Sequence, residues 1–463
     1  MKLNRYIQSF SVAVVLVWVC CSCKKLIEVD PPANWLESGI VFSSDSMARA
    51  AVTGLHSNIM SQTKYFLNGA MSLFPGLSAD ELVRTSPFAA EDQFATNSLA
   101  TTNAVIGVNI WKAAYAYLYQ CNIILEGLSR SENVSLAEKK KLAGEVQFVR
   151  ALCYTYLVNL FGDVPLVTGS NADKNALLSR SPVDSVYKFI ESDLQAAFVA
   201  LPDGLTNTRP NRMACLALMA RVYLYRKEWD KAAAAASEVI DSHQYQLTTD
   251  LNKVFLSAST ETIFQWAPVL SPVNTAEGRM FVPGSPNAVP MYVLTNNLQQ
   301  AFEQNDLRKN YWTQKAQPNP AGTEYVYPYK YKIYASTAQA TEYNIVLRLA
   351  EQYLIRAEAK AQLDHPAEAV TDVNVIRSRA GLPVLQDTLD KEACLIAIGN
   401  EKRIEFFAEW GHRWIDLKRW RKVTEILSVL KGSNWQQTDE LYPIPFSEVE
   451  RDPNLVQNDG YLN

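Results

Sequence analysis

The chain has 463 residues, 48% hydrophobic and 20% charged, which excludes a disordered or low-complexity chain and calls for one large domain or two. Its 44 basic and 48 acidic residues give a net charge of −4, without the basic excess that neutralising phosphates demands, so no nucleic-acid partner is expected. Aromatic residues reach 11%, and many fall outside any helical periodicity.

Residues 1–23 read MKLNRYIQSFSVAVVLVWVCCSC. Lys2 and Arg5 form a basic start, and Phe10 to Cys21 is an apolar run holding only Ser11. That run is too short to cross a hydrocarbon core of ~30 Å, which takes ~20 apolar residues. Small Ser22 precedes Cys23, as in a bacterial lipoprotein signal, with Cys20 in the place usually held by Leu. The expectation is a signal peptide over residues 1–22 and lipidation at Cys23, whose acyl chains suffice for stable anchoring. Cys121, Cys153, Cys215 and Cys394 each fall inside a helical apolar pattern and read as buried free thiols. No two of these four stand in a CxxC spacing, so zinc or thioredoxin-like chemistry has no footing.

Lys24 to Pro32 reads as an extended tether, because Pro31 and Pro32 forbid helix. Trp111, Tyr115, Leu118, Asn122 and Leu125 then recur at helical steps, as do Leu142, Val146, Val149, Cys153, Tyr156 and Leu160 up to a stop at Phe161-Gly162-Asp163. Ser181-Pro182 opens the next helix, which ends at Pro202-Asp203-Gly204. A helical hairpin follows in RMACLALMARVYLYRKEWDKAAAAASEVIDS, with Arg226 to Glu228 as its turn. Small residues at the crossing and a unit of about thirty residues match a tetratricopeptide-like repeat. Residues 347–380 repeat the scheme, with Pro366 in the first turn of the second arm, where its missing N–H costs nothing.

Residues 257–345 differ: Pro268, Pro272, Pro283, Pro286, Pro290, Pro318, Pro320 and Pro328 break any long helix. Tyr327, Tyr329, Tyr331 and Tyr334 suggest one face of a strand there. Irregular, aromatic-rich segments laid over a helical frame are where ligand contacts concentrate. Helix returns at 391–430 and gives way to an irregular tail. Phosphate loops, a GxSxG elbow and HExxH are all missing, and the four histidines stand apart in sequence. Asp80-Glu81 is the place to look for a carboxylate pair, against a plain reading as a hydrogen-bonding pair at a helix edge. The sequence makes no positive case for catalysis.

Seven blocks in order resemble the SusD/RagB family: SCKKLIEVDPP at 22–32, RALCYTYLVNLFGDVPLV at 150–167, ARVYLYRKEWDKAAAAASEVI at 220–240, VLRLAEQYLIRAEA at 346–359, NVIRSRAGLP at 374–383, EKRIEFFAEWGHRWIDLKRW at 401–420, and LYPIPFSEVERDPNLVQNDGY at 441–461. The resemblance implies a mostly α protein, a single domain over 23–463. About four tetratricopeptide-like helix pairs would form its scaffold, beside an irregular, weakly β ligand-binding side. It further implies a surface-exposed outer-membrane lipoprotein of Bacteroidota that needs no cofactor. Such proteins sit as a lid on a SusC-like TonB-dependent transporter, capturing an oligosaccharide, or for some members a peptide, before import. They are binders and not enzymes.

The family's ligand loops correspond here to Leu82–Ile110 and to about 257–345. The first holds Arg84, Phe88, Phe94 and Asn97; the second holds Trp266, Phe281, Tyr292 and Tyr311. Arg84, Phe88, Phe94, Asn97, Trp266 and Tyr292 are the expected ligand contacts, since sugar rings stack on aromatic faces and hydroxyls need polar partners at the rim. For Phe88 and Phe94 packing stands open beside ligand contact, and for Trp266 a strand does. Trp111 and Tyr115 are expected in the core. Arg403, Glu405 and Arg413 are expected in buried ion pairs or caps.

Overall fold

Helical hairpins build one side of the molecule. Ala113–Arg130 and Leu136–Phe161 form the first, Arg212–Tyr225 and Trp229–Asp241 the second, Leu349–Gln362 and Pro366–Arg379 the third. Val183–Ala200 packs against both Leu136–Phe161 and Arg212–Tyr225, and Lys391–Glu405 closes on the third hairpin. The computed structural model describes residues 41–204, 206–319 and 322–461, so Cys23, the signal peptide and the tether lie outside it. No helix among the described residues is long and apolar enough to cross a membrane.

Local chemistry places the helix ends. Asn211 Oδ1 accepts from Ala214 N at 2.8 Å, filling one of the N–H groups a helix start leaves unpaired. Leu136–Phe161 stops because Gly162 takes φ 73°, a conformation that glycine enters without strain. Ala217, Ala220, Ala232 and Ala236 are buried and let the arms of the second hairpin approach closely. Pro366 sits at the first position of its helix. The mostly α, tetratricopeptide-like expectation therefore describes the molecule. Cys121, Cys153, Cys215 and Cys394 are buried and unpaired, and burial pushes the Cys121 thiol up to about 12 and the other three upward as well.

Three elements differ from expectation. The first amphipathic run begins as a π-helix, Val105–Lys112, before turning α at Ala113, which widens the turn around buried Trp111. The C-terminal stretch is three helices, Lys391–Glu405, His412–Arg419 and Val423–Lys431, divided by a turn at Phe406–Gly411 and by Arg421 at φ 58°. Of the alternating tyrosines, Tyr327 alone lies in a strand, Tyr325–Pro328. Tyr329 follows it, and Tyr331 and Tyr334 run on in irregular chain, with buried Tyr331 accepting from Ile345 N at 3.0 Å through its hydroxyl.

Among the described residues the strands form four two-stranded antiparallel ladders, three of them on the irregular side. Thr262–Trp266 pairs with Asn344–Arg348, so the irregular segment is zipped together where it leaves and rejoins the helices. Thr313–Ala316 pairs with Tyr325–Pro328, Leu82–Arg84 with Tyr292–Leu294, and Val164–Pro165 with Arg180–Ser181. Short helices Ala276–Phe281, Asn296–Ala301 and Leu307–Trp312 fill the intervals.

A buried ion network joins the two sides. Arg308, Lys330 and Arg348, with Glu261 and Asp306, come from the irregular segment and its flanks; Arg377 and Arg379 come from helix Pro366–Arg379, Glu401 and Glu405 from Lys391–Glu405, and Glu409 from the turn after it. Glu405 accepts from Arg348 Nη1 at 2.5 Å, from Arg308 Nη1 at 3.1 Å and from Arg379. Burial alone would raise its pKa, but Arg379, Arg348 and Arg308 together hold the carboxyl far below the usual range. Removing one partner of such a network strands the others in a medium that cannot solvate them, at a cost of about 3–5 kcal/mol. Glu405→Gln is expected to lower unfolding free energy by about that much. Urea unfolding followed by tryptophan fluorescence reads it, because the Arg379 guanidinium lies 5.6 Å from the Trp312 ring. A loss under about 1 kcal/mol, the worth of a surface pair, would contradict this account.

Candidate functional site

Strand Leu82–Arg84 places Arg84 opposite Tyr292 in its ladder, and Thr85 N extends the pairing to Met291 O at 3.1 Å. Ser86-Pro87 then turns the chain into helix Ala89–Thr96, with Phe88 as N-cap and its N–H donated to Asp92 Oδ2 at 2.8 Å. The result is an edge in which the Arg84 guanidinium lies 5.0 Å from the Phe88 ring centroid. Phe88 is 49% exposed, and Val83, Val289 and Met291 are exposed as well.

Beneath the edge lies a buried polar cluster. Glu91 accepts from Tyr292 OH at 2.6 Å and from Lys64 Nζ at 2.9 Å, while Lys64 also donates to the Tyr292 oxygen at 2.6 Å. Arg84 Nε lies 3.2 Å from Glu91 Oε2, at ion-pair distance without hydrogen-bond alignment. Burial, then the hydrogen bond to Glu91 and its charge, pushes the Tyr292 phenol far above its ordinary range, so it stays a donor. Two cations face one carboxylate in this cluster, and that carboxylate is fully engaged. What the edge offers outward is the exposed Phe88 face and aliphatic surface, with Lys64 partly exposed and the Arg84 guanidinium largely buried behind the ring.

The model of the SusD family matches residues 235–461, and a second family model, described as starch-binding associating with outer membrane, matches residues 77–224. SusD-like protein P25 of Formosa agariphila is 24% identical, the alignment covering 99% of both chains. The chain belongs to the SusD/RagB family. Starch-binding protein SusD of Bacteroides thetaiotaomicron is 23% identical over 72% of this chain and 75% of its own. Among solved structures, a SusD superfamily protein of Bacteroides vulgatus superposes with a TM-score of 0.79 at 20% identity, covering 91% of this chain and 100% of that one. A laminarin-binding SusD-like protein superposes at 0.77 with 23% identity, covering 91% and 100%.

Of the six residues expected at the ligand site of this SusD/RagB chain, Arg84, Phe88 and Tyr292 come together. Tyr292 does so from below, its ring buried and only its hydroxyl joined to the cluster. The other three face elsewhere and are corrected. Phe94 is wholly buried on the inner side of helix Ala89–Thr96, with its ring 4.8 Å from Phe74 and 5.4 Å from Tyr442. Asn97 is the buried residue that ends this helix at φ 54°. Trp266 closes the strand Thr262–Trp266 inside the core, where Nε1 donates to His56 Nδ1 at 2.8 Å. Burial, then the Arg209 charge, pulls His56 down to about 3, so its Nδ1 is a free acceptor for that bond. Phe281 is buried too, while Tyr311 is partly exposed on helix Leu307–Trp312.

Lys64 and Glu91 escaped the sequence reading. Glu91 had a signal, since Ser-Pro followed by an acidic first turn marks a helix start. Lys64 had none, because its partners lie 27 and 228 residues away.

Asp80 and Glu81 are buried immediately before the edge strand. Asp80 accepts from Arg413 Nε at 2.8 Å and from Arg403 Nη2 at 2.6 Å; burial works against its charge, but Arg413 and Arg403 hold it below the usual range. Their carbonyls seat Thr295, which donates N–H to Glu81 O at 3.0 Å and its hydroxyl to Asp80 O at 2.6 Å. The pair is a buried anchor beneath the edge. Arg403, Glu405 and Arg413 all occupy buried or partly buried ion pairs, as expected.

Glu81 provides a pH test of this anchor. Burial, then the neighbouring Asp80 charge, raises its pKa from 4.5 to about 8. Between those values the folded chain holds a proton that the unfolded chain has released, so stability falls as pH rises. The contribution is full below about 4.5 and gone above about 8. Glu81→Gln cannot ionise and is expected to gain in melting temperature relative to the native chain as buffers go from about pH 5 to about pH 8. A difference that stays flat across that series would show Glu81 to be ionised in the fold.

Proposed function

We propose that this SusD/RagB protein captures an oligosaccharide at the outer cell surface and passes it to a SusC-like TonB-dependent transporter without turning it over. The observation that carries the reading is the Arg84–Phe88 edge, set on a fold shared with a protein named for laminarin binding and related to one named for starch binding. On this reading residues 1–22 are the export signal and Cys23 carries the lipid that holds the protein at the membrane.

The edge suits loose capture. Axial C–H faces of a sugar ring stack on Phe88, whose ring the Arg84 guanidinium backs, while the partly exposed Lys64 presents an N–H donor to ring and hydroxyl oxygens. Glu91 is committed to Tyr292 and Lys64, Asp92 accepts from Phe88 N, and Asp80 and Glu81 are buried, so the carboxylates described at this edge are engaged in structural contacts, which favours binding over general acid–base chemistry. A second reading, capture of a peptide, is favoured by one feature: the exposed side chains flanking Phe88 are the aliphatic Val83, Val289 and Met291 rather than further rings.

Calorimetry of the mature protein with laminarin, starch oligosaccharides and mixed peptides separates these readings, with chromatography of each ligand afterwards. The expected result is binding of a glycan recovered intact, weakened about tenfold, or about 1.4 kcal/mol, by Phe88→Ala and by Arg84→Met. Unchanged affinity in both variants would remove the edge from the site. Peptide binding with every glycan silent would establish the second reading, and release of shortened glycan would make the protein an enzyme. Co-purification from membranes with a large outer-membrane protein tests the transporter.

A further inference from the structure

Helix Ala89–Thr96 carries Phe88 at its start and Glu91 in its first turn, and lysines from two distant parts of the chain hold its two ends. Lys64 binds Glu91 at one end. At the other, Lys431 Nζ donates to Ala95 O at 2.7 Å and to Leu77 O at 3.1 Å. Both are last-turn carbonyls, of helices Ala89–Thr96 and Ala70–Ser78, which helix geometry leaves unpaired and where a cation is favoured. Asn97, which ends the first of these helices, adds no side-chain tie: its amide atoms are buried without a hydrogen-bond partner among the described residues.

Lys431 is the last residue of helix Val423–Lys431, whose outer surface is open. That helix buries Val423 and Leu427 but leaves Val429 81% exposed, and its Glu425 and Ile426 line a cavity of about 930 Å³ on the helical side together with Trp229 and Trp420. None of the six expected ligand residues lines this cavity. Lys431 thus reaches from an element of the helical side to the backbone of the ligand edge.

We propose that Lys431 is a positioning residue for the Arg84–Phe88 edge, fixing the tilt of helix Ala89–Thr96 from its far end and tying that tilt to helix Val423–Lys431. The lever is short: the six residues from Phe94 back to Phe88 span about 9 Å at 1.5 Å rise, so a tilt of about 10° displaces Phe88 by about 1.6 Å. The stack of Phe94 on Phe74 keeps the helix seated on Ala70–Ser78 and makes a pivot. Loss of Lys431 therefore lets the helix rock without detaching it. Burial pulls the Lys431 amine down to about 8, against the opposing Asp80 charge, consistent with an ammonium withdrawn from water to make these two bonds.

Hydrogen exchange of the mature protein tests the proposal without any ligand. Lys431→Met keeps the aliphatic stem and removes the donors. Amides of residues 89–97 are expected to exchange about tenfold faster, with those of Arg212–Tyr225 and Leu349–Gln362 unchanged. Lys431→Arg, which retains N–H donors, is expected to restore slow exchange. Unchanged exchange at 89–97 would overturn the proposal, as would acceleration spread evenly over the chain, which marks general destabilisation.

The functional half rests on the capture reading and uses laminarin as probe. Lys431→Met is expected to weaken laminarin binding about as much as Phe88→Ala, and Lys431→Arg to recover it. Binding weakened by Phe88→Ala but untouched by Lys431→Met would refute positioning. If laminarin fails to bind the native protein, the glycan reading loses that support, while the exchange result still decides the role of Lys431.

Discussion

Glu405 is tolerable in the interior only because three guanidinium groups converge on it, and the placement of the irregular half of the molecule follows from that requirement. The side containing Glu261, Asp306, Arg308, Lys330 and Arg348 brings three cations and two carboxylates; the side containing Arg377, Arg379, Glu401, Glu405 and Glu409 brings the reverse. Neither set is neutral or solvated when buried by itself. Matched, they close on each other in one register, because planar guanidinium groups accept carboxylates only in a few orientations. A segment rich in proline and poor in regular structure thereby acquires a defined position without a large sheet.

The Arg84–Phe88 edge inherits that position through one strand. Tyr292–Leu294 belongs to the segment that the ion network seats, and it supplies the partner for Leu82–Arg84. A second set of ties works from the other direction, with Arg403 and Arg413 gripping Asp80 just before the edge strand. Thr295, bonded to the carbonyls of Asp80 and Glu81, closes the loop between the two. Charged side chains thus position backbone on both sides of an edge whose own outward groups remain few.

The helical half was legible because its signals are local. A 3.6-residue period, a proline in a first turn and a glycine after a last turn each act within a few residues, and they located the hairpins around Arg226–Glu228 and Pro366. The roles of Arg403, Glu405 and Arg413 were legible as buried ion pairs, yet their partners were not, since Asp80 is 333 residues from Arg413. Phe94 illustrates the limit at the site. It lies on a helix of eight residues, too short to display a period, so a loop-borne ligand contact and a core residue looked alike in sequence. Trp266 failed for the opposite reason: a strand buried on both faces shows no alternation to mark which way the indole points.

The distribution of ionisable groups argues further about what kind of site this edge can be. Proton transfer needs a group that reaches the reacting atom with a pKa near working conditions. The perturbed groups nearby do not meet that condition: Glu81, raised to about 8, lies under the strand, and the Tyr292 phenol is locked into donation to Glu91. His56 and His412, the two buried histidines among the described residues, are both driven neutral by burial, and His56 spends its Nδ1 lone pair on Trp266. The perturbed pKa values therefore arise from groups that hold structure together. The surface chemistry left over is one exposed ring backed by a guanidinium, with aliphatic neighbours, and it is the chemistry that the capture reading calls for.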